Sequence, residues 1–257
     1  MAEMKYAVLG SGSHANAYIF ESGTFSFLID NGFTVKEVMK RAEDFHFDIR
    51  NLKFIMLTHT HLDHYRGVGR LSRKLKIPVV MHEQLSRTER DKISPYARLD
   101  ITPGKEYSFD ALTFVPFSTS HDAAHSIGFH FSVAGTRFTL LTDTGVIPEK
   151  VIEYIHQSDV LFLEANYDET MLAEGPYPPP LKQRIASEKG HLSNRTALEF
   201  LDSLHEREGP STVYLCHLSD TNNSSALLAQ MLENTRAAHT RKIIICNKGE
   251  ALEGTNE

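Results

Sequence analysis

Short apolar runs alternate with amphipathic stretches along the whole chain, a pattern that predicts layered α/β architecture rather than an all-β fold or a helical bundle. The first third reads as strands over residues 6–9, 17–21 and 25–30, with a Gly10-Ser11-Gly12-Ser13 turn after the first and a helix over 35–45 behind the third. The run Phe54-Ile55-Met56-Leu57 predicts another strand. Over 65–75, Val68, Leu71 and Leu75 recur at spacings of three and four, the stripe of a helix facing a core, and Pro78 stops it.

The middle of the chain predicts a strand over 79–81, a polar helix over 83–92, a loop marked by Pro and Gly, and a strand over 111–115. Residues 128–133 and 136–141 flank Ala134-Gly135 and read as a hairpin. Beyond Pro148 the expected order is helix, strand, helix, helix, strand, helix, strand, the last over 242–246. No internal repeat of 20 to 50 residues stands out. Gly175-Pro176-Tyr177-Pro178-Pro179-Pro180 has the composition of a linker, but proline fixes φ and resists collapse, so it reads as a rigid rim. The expectation is one domain over residues 1–257, a length sufficient for a substantial core.

A formal net charge of -6 sets the surface apart from polycationic nucleic-acid binders, so any phosphate recognition must be local. Cys216 and Cys246 each end an apolar run and read as buried free thiols of a reduced cytoplasm. The first residues lack a basic segment followed by a long apolar core, and no later run approaches membrane-spanning length. The expected setting is soluble and cytoplasmic, with no membrane partner.

The chemistry concentrates in Thr58-His59-Thr60-His61-Leu62-Asp63-His64, directly after an apolar strand. Residues two apart on an extended segment point the same way, so His59 and His61 can face one ion. Asp63 and His64 fall on the turn beyond and can begin a second ligand set. Further donors recur where apolar runs give way to polar residues: His121, Asp143 and His217. A carboxylate bridges cations readily, which makes Asp143 the natural bridge. Two bound divalent cations would add about four positive charges to one cleft.

This series resembles the metallo-β-lactamase superfamily, whose four-layer αββα sandwich carries a His-x-His-x-Asp-His motif followed by separate His, Asp and His ligands. The resemblance runs nearly end to end. It implies that His59, His61 and His121 hold one ion, that Asp63, His64 and His217 hold the other, and that Asp143 lies between. Asp30, in Leu28-Ile29-Asp30-Asn31-Gly32, resembles a carboxylate that orients a ligand histidine from behind; a plain strand-to-turn aspartate fits as well. Glu164, ending the run Leu161-Phe162-Leu163, and His191, in Gly190-His191-Leu192-Ser193-Asn194, resemble elements of ribonuclease Z and related phosphodiesterases. There a glutamate holds a histidine that protonates the leaving oxygen; His191 also fits a residue beside a Ser193 helix cap.

The proline run leading into Gly190, the stretch Cys216-His217-Leu218-Ser219-Asp220-Thr221-Asn222-Asn223, and Gly10-Ser11-Gly12-Ser13 look like the bacterial YycJ/WalJ (VicX) group. That resemblance implies a metal-dependent 5′-to-3′ DNA exonuclease. The expected catalytic set is Asp63, or a metal-bound water, for proton uptake, with His191 and Glu164 serving the leaving group. One departure is His14, where the group commonly has a small residue. Two divalent ions are expected, zinc or manganese, with iron also compatible with His and Asp donors. Nucleic acid is the expected partner, DNA ahead of RNA. No long insertion could form a clamp domain, so Arg66, Arg70, Arg73, Lys74, Lys182 and Arg184 are candidate phosphate contacts, and Tyr177 a candidate base platform. Rival readings are a small-molecule hydrolase acting on a cyclic phosphodiester, lactone or thioester, and a metal-stabilised binding or regulatory protein without turnover.

Overall fold

The computed structural model describes residues 4–23, 25–205, 209–247 and 251–255. The chain runs β1 (Met4–Gly10), β2 (Ala17–Ser22), β3 (Phe25–Ile29), α1 (Val35–Asp44), β4 (Leu52–Met56), α2 (Leu62–Tyr65), α3 (Val68–Leu75), β5 (Pro78–His82), α4 (Arg87–Ile93) and β6 (Ala97–Ile101). It continues β7 (Tyr107–Phe109), β8 (Leu112–Ser118), β9 (Ile127–Val133), β10 (Thr136–Leu141), α5 (Glu149–Gln157), β11 (Val160–Glu164), α6 (Glu169–Glu174), α7 (Pro179–Ile185) and α8 (Asn194–Ser203). The last elements are β12 (Thr212–Cys216), α9 (Ser225–Glu233), α10 (Ala237–Thr240), β13 (Lys242–Ile245) and β14 (Leu252–Thr255).

Two mixed sheets form, ordered β14-β1-β2-β3-β4-β5-β6 and β13-β12-β11-β10-β9-β8-β7. In the first, pairing is antiparallel from β14 through β3 and parallel from β3 through β6. The second is antiparallel from β7 through β10 and parallel from β10 through β13. The period-2 alternation of the strands explains the layering. In β1, Tyr6 and Val8 enter the core between the sheets, while Ala7 and Leu9 face the outer core beside α1 and α3. Both faces are covered, so these strands read as continuous apolar runs. A third cluster packs α5, α8 and α9 on the outer face of the second sheet, completing the αββα order. The inner core is aromatic: Phe20 meets Phe131 edge-on at 4.9 Å, and Tyr6 meets Phe138 at 5.2 Å.

The hairpin forms as expected, with Ala134 and Gly135 both at positive φ, 52° and 86°, as a two-residue turn of the twisted kind demands. The helix expected over 65–75 is broken. α2 and α3 are separated at Arg66 and Gly67, because Gly67 packs against the segment after β3; a Cβ there would lie 2.0 Å from the Phe33 carbonyl oxygen. The polar helix expected over 83–92 begins later, at Arg87, behind a Ser86–Glu89 capping box. β6, β7 and β14 were not anticipated, nor was a third helix between β11 and β12 or the short α10. The proline run supplies that third helix, α7, with Pro178 at its N-cap and Pro179 and Pro180 in its first turn, where missing N–H groups cost nothing. Cys216 and Cys246 are buried free thiols. Among the described residues, no helix is long and apolar enough to cross a membrane.

Candidate metal centre and active site

The donors converge where strands of both sheets end on one side of the seam. β4 leads to His59, whose chain continues extended through His61 before α2 begins, so Asp63 and His64 stand on a single helical turn. β8 leads to His121, β10 to Asp143 and β12 to His217. Asp30, Asp143 and His217 all adopt positive φ, at 58°, 58° and 59°. Non-glycine residues pay for that conformation, and each of these turns a side chain toward the seam.

Donor atoms of His59, His61 and His121 lie within 4.8 Å of one another, as do those of Asp63, His64 and His217. Asp143 joins donors of both groups, forming one set with His59 and His64 and another with Glu164, His191 and His217. Each histidine has a partner on one ring nitrogen. His64 Nδ1 bonds Asp30 Oδ2 at 2.7 Å, His59 Nδ1 lies 3.0 Å from Thr58 Oγ1, and His217 Nδ1 bonds Glu164 Oε1 at 2.9 Å. His121 Nδ1 donates to the Gly190 carbonyl at 3.0 Å, and His61 Nε2 sits 3.5 Å from Asp122 Oδ1. Such contacts fix the tautomer and aim the opposite nitrogen inward. Gly190 is needed for this: a Cβ would fall 2.1 Å from the Ile185 carbonyl oxygen.

The inward atoms fit metal ions. His59 Nε2, His217 Nε2 and Asp143 Oδ2 are buried without a hydrogen-bond partner, a state that costs about 1–3 kcal/mol per group unless something is bound there. An imidazole and carboxylate set without thiolate suits zinc, manganese or iron. Beside it, Glu164 accepts from two histidines through one oxygen, His217 at 2.9 Å and His191 at 2.7 Å, and its other oxygen accepts the Thr144 N–H at 2.8 Å. A cavity of about 240 Å³ opens over these groups, reached by His61, Asp63, Asp143, His191 and His217.

The description "Beta-lactamase superfamily domain" matches residues 26–218, which take in every donor named above. The chain belongs to the beta-lactamase superfamily. Within it, the chain is 31% identical to exodeoxyribonuclease WalJ of Streptococcus pneumoniae over 239 residues, covering 91% of this chain and 88% of that protein. The metallo-beta-lactamase fold protein YhfI from Bacillus subtilis superposes with a TM-score of 0.74 at 18% identity, covering 99% of this chain and 100% of that one. Human tRNase Z, short form, does so with a TM-score of 0.68 at 15% identity, covering 98% and 100%. The last two share the superfamily fold.

Charge in this superfamily site is divided between its two sides. Burial and then the neighbouring imidazoles push His59 well below the ordinary histidine range, and His61 is lowered for the same reasons. Burial also works against charge on His64 and His217, but Asp143 with Asp63 and Asp30, or with Asp63 and Glu164, outweighs it and raises both. Burial would lift the Asp63 and Glu164 carboxyls, yet the adjacent imidazoles, His64 with His217 and His191 with His217, hold both well below the usual carboxylate range.

Several contributors escaped the sequence reading. Asn16 is fully buried, with Nδ2 3.0 Å from the Gly12 carbonyl, 3.1 Å from Asp63 Oδ2 and 2.9 Å from His64 Nε2. Asn166 donates to the His217 carbonyl at 2.7 Å, and Ser11 Oγ accepts the His217 N–H at 2.8 Å. The Gly-Ser turn before Asn16 was visible, but nothing local tied it to a motif 47 residues away. His14 pairs with Asp220 at 3.0 Å at the surface, outside the cavity lining. Of the basic candidates, Arg66 donates to the Gly32 carbonyl at 2.7 Å, Arg73 to the Ser94 carbonyl and Lys182 to the Ala173 carbonyl at 2.6 Å. Arg184 lines the cavity and pairs with Asp122.

Proposed function

We propose that the chain is a dinuclear metal-dependent DNA exonuclease acting in the 5′-to-3′ direction, built as a single domain without a clamp insertion. The observation that carries the chemistry is the shared Glu164 oxygen, which ties His191 to the metal-facing His217 and leaves His191 Nε2 for the cavity. The relative named exodeoxyribonuclease WalJ, matched along most of both chains, supports DNA as substrate ahead of RNA. Zinc or manganese fits the donors, and iron is compatible.

His59, His61 and His121 would hold one ion and Asp63, His64 and His217 the other, with Asp143 between them. Bound there, divalent cations supply Lewis acidity, lowering the pKa of water and offsetting charge on phosphoryl oxygens. Asp63 takes up the proton released on attack. Glu164 fixes the His191 ring through Nδ1, and His191 delivers a proton from Nε2 to the departing oxygen.

The test compares metal-loaded wild type with His61→Ala and His191→Ala on end-labelled DNA, RNA and bis-p-nitrophenyl phosphate. His61→Ala should abolish DNA hydrolysis. His191→Ala should slow turnover by about 10²–10⁴-fold while metal content stays at the wild-type level. Wild-type nuclease rates in purified His61→Ala would sink the reading, and loss of metal from His191→Ala would make His191 a ligand instead of an acid.

A further inference from the structure

The cavity over the donors has a second wall of different chemistry. Tyr177, Leu181, Arg184 and Ile185 line it, and all come from one stretch at and just before α7. Leu181, Arg184 and Ile185 recur at helical spacings of three and four, so they share a face. None of the α7 residues is buried, which means that its apolar side chains are not spent on the core. They stay half-buried beside a cleft whose remaining lining is polar, chiefly imidazoles and carboxylates. An apolar and aromatic strip opposite a phosphate-handling centre fits a ligand with both a flat apolar part and an anion.

Arg184 supplies the anion contact. Its Nε is engaged by Asp122, whose other oxygen lies 3.5 Å from His61 Nε2, so one carboxylate spans the gap between the guanidinium and a metal-donor ring. A guanidinium carries five N–H donors in a fixed fork, and its terminal nitrogens remain to take phosphate oxygens. The cavity, about 240 Å³, falls below the roughly 300–1,000 Å³ of drug-sized sites and suits one terminal unit instead of a length of duplex.

We infer that the α7 wall is a terminal-nucleotide subsite: Tyr177, Leu181 and Ile185 pack the end base, and Arg184 takes the phosphate of that nucleotide. The inference rests on the nuclease reading and gives it a reason to act on ends. None of the α7 residues is buried, and Tyr177, just before the helix, is half-buried with its hydroxyl donating to Thr221 Oγ1 at 3.2 Å, a bond that Tyr177→Phe removes while keeping the ring.

Binding of 5′-dAMP and of inorganic phosphate to the metal-loaded protein, measured by titration calorimetry, tests it without requiring turnover. Wild type should bind dAMP at least tenfold more tightly than phosphate, because stacking on an aromatic adds to the anion contact. Tyr177→Ala should remove most of that preference and leave phosphate affinity unchanged, whereas Tyr177→Phe should keep it. Arg184→Ala should weaken both probes by a similar factor. Equal affinity of wild type for the two probes overturns the subsite, as does a parallel loss of both in Tyr177→Ala. A wild type that prefers dAMP but degrades no DNA keeps the subsite and removes the nuclease; one that degrades DNA without the preference does the reverse.

Discussion

Asn16 carries two N–H groups on one nitrogen and has three polar atoms around it, the Gly12 carbonyl oxygen, Asp63 Oδ2 and His64 Nε2. The Gly12 N–H, bonded to Asn16 Oδ1 at 2.9 Å, fixes which end of the amide faces them. The two protons go to the Gly12 carbonyl and Asp63 Oδ2, which leaves His64 Nε2 to face the proposed cation. Asn16 then holds the Asp63 carboxylate and the Gly-Ser turn together. Asn16→Ala should therefore weaken the ion proposed for Asp63, His64 and His217 by about 10- to 100-fold and spare the other, as loss of an outer partner of a metal ligand commonly does. Titration with a competing chelator would resolve the two affinities; two ions bound as in wild type would show that Asn16 only fills space.

At the scale of elements, strand ends were legible and strand edges were not. The apolar runs before His59, Asp143 and His217 mark strands by composition alone, and the donors follow them directly. Residues 97–101 form β6 although its first four residues are exposed, because an edge strand is written by its neighbour β5 and not by its own pattern. β14 pairs with β1 across almost the entire chain, a contact no local periodicity announces. The break at Gly67 was hidden for a similar reason: the stripe of Val68 and Leu71 is a true helix signal, but the turn before it yields to the segment following β3. Its N–H donates to the Asn31 carbonyl at 2.8 Å, next to the aspartate that orients His64. Gly67→Ala should destabilise the protein by about 1–3 kcal/mol through overpacking, read as a lower urea midpoint. An unchanged midpoint would mean that the segment after β3 moves aside freely.

Across the whole molecule, the two sheets share one pairing scheme, three antiparallel steps followed by three parallel ones. β3 and β10 hold matching places, and each is followed by an aspartate at φ 58°, Asp30 behind His64 and Asp143 facing the donors. No sequence repeat betrays this, since the shared feature is backbone order. Each proposed ion draws ligands from both sheets, so metal binding should hold the halves together. Stripping the metal should lower the unfolding temperature: a cation at about a thousand times its Kd contributes roughly 4 kcal/mol. Calorimetry with and without chelator checks this, and identical transitions would place the ions outside the seam.

That division of ligands also sets a schedule for the growing chain. His59 to His64 are made early, but His121, Asp143 and finally His217 must follow before both proposed ligand sets are whole. One proposed ligand set is therefore incomplete until residue 121 has been added, and the other until residue 217.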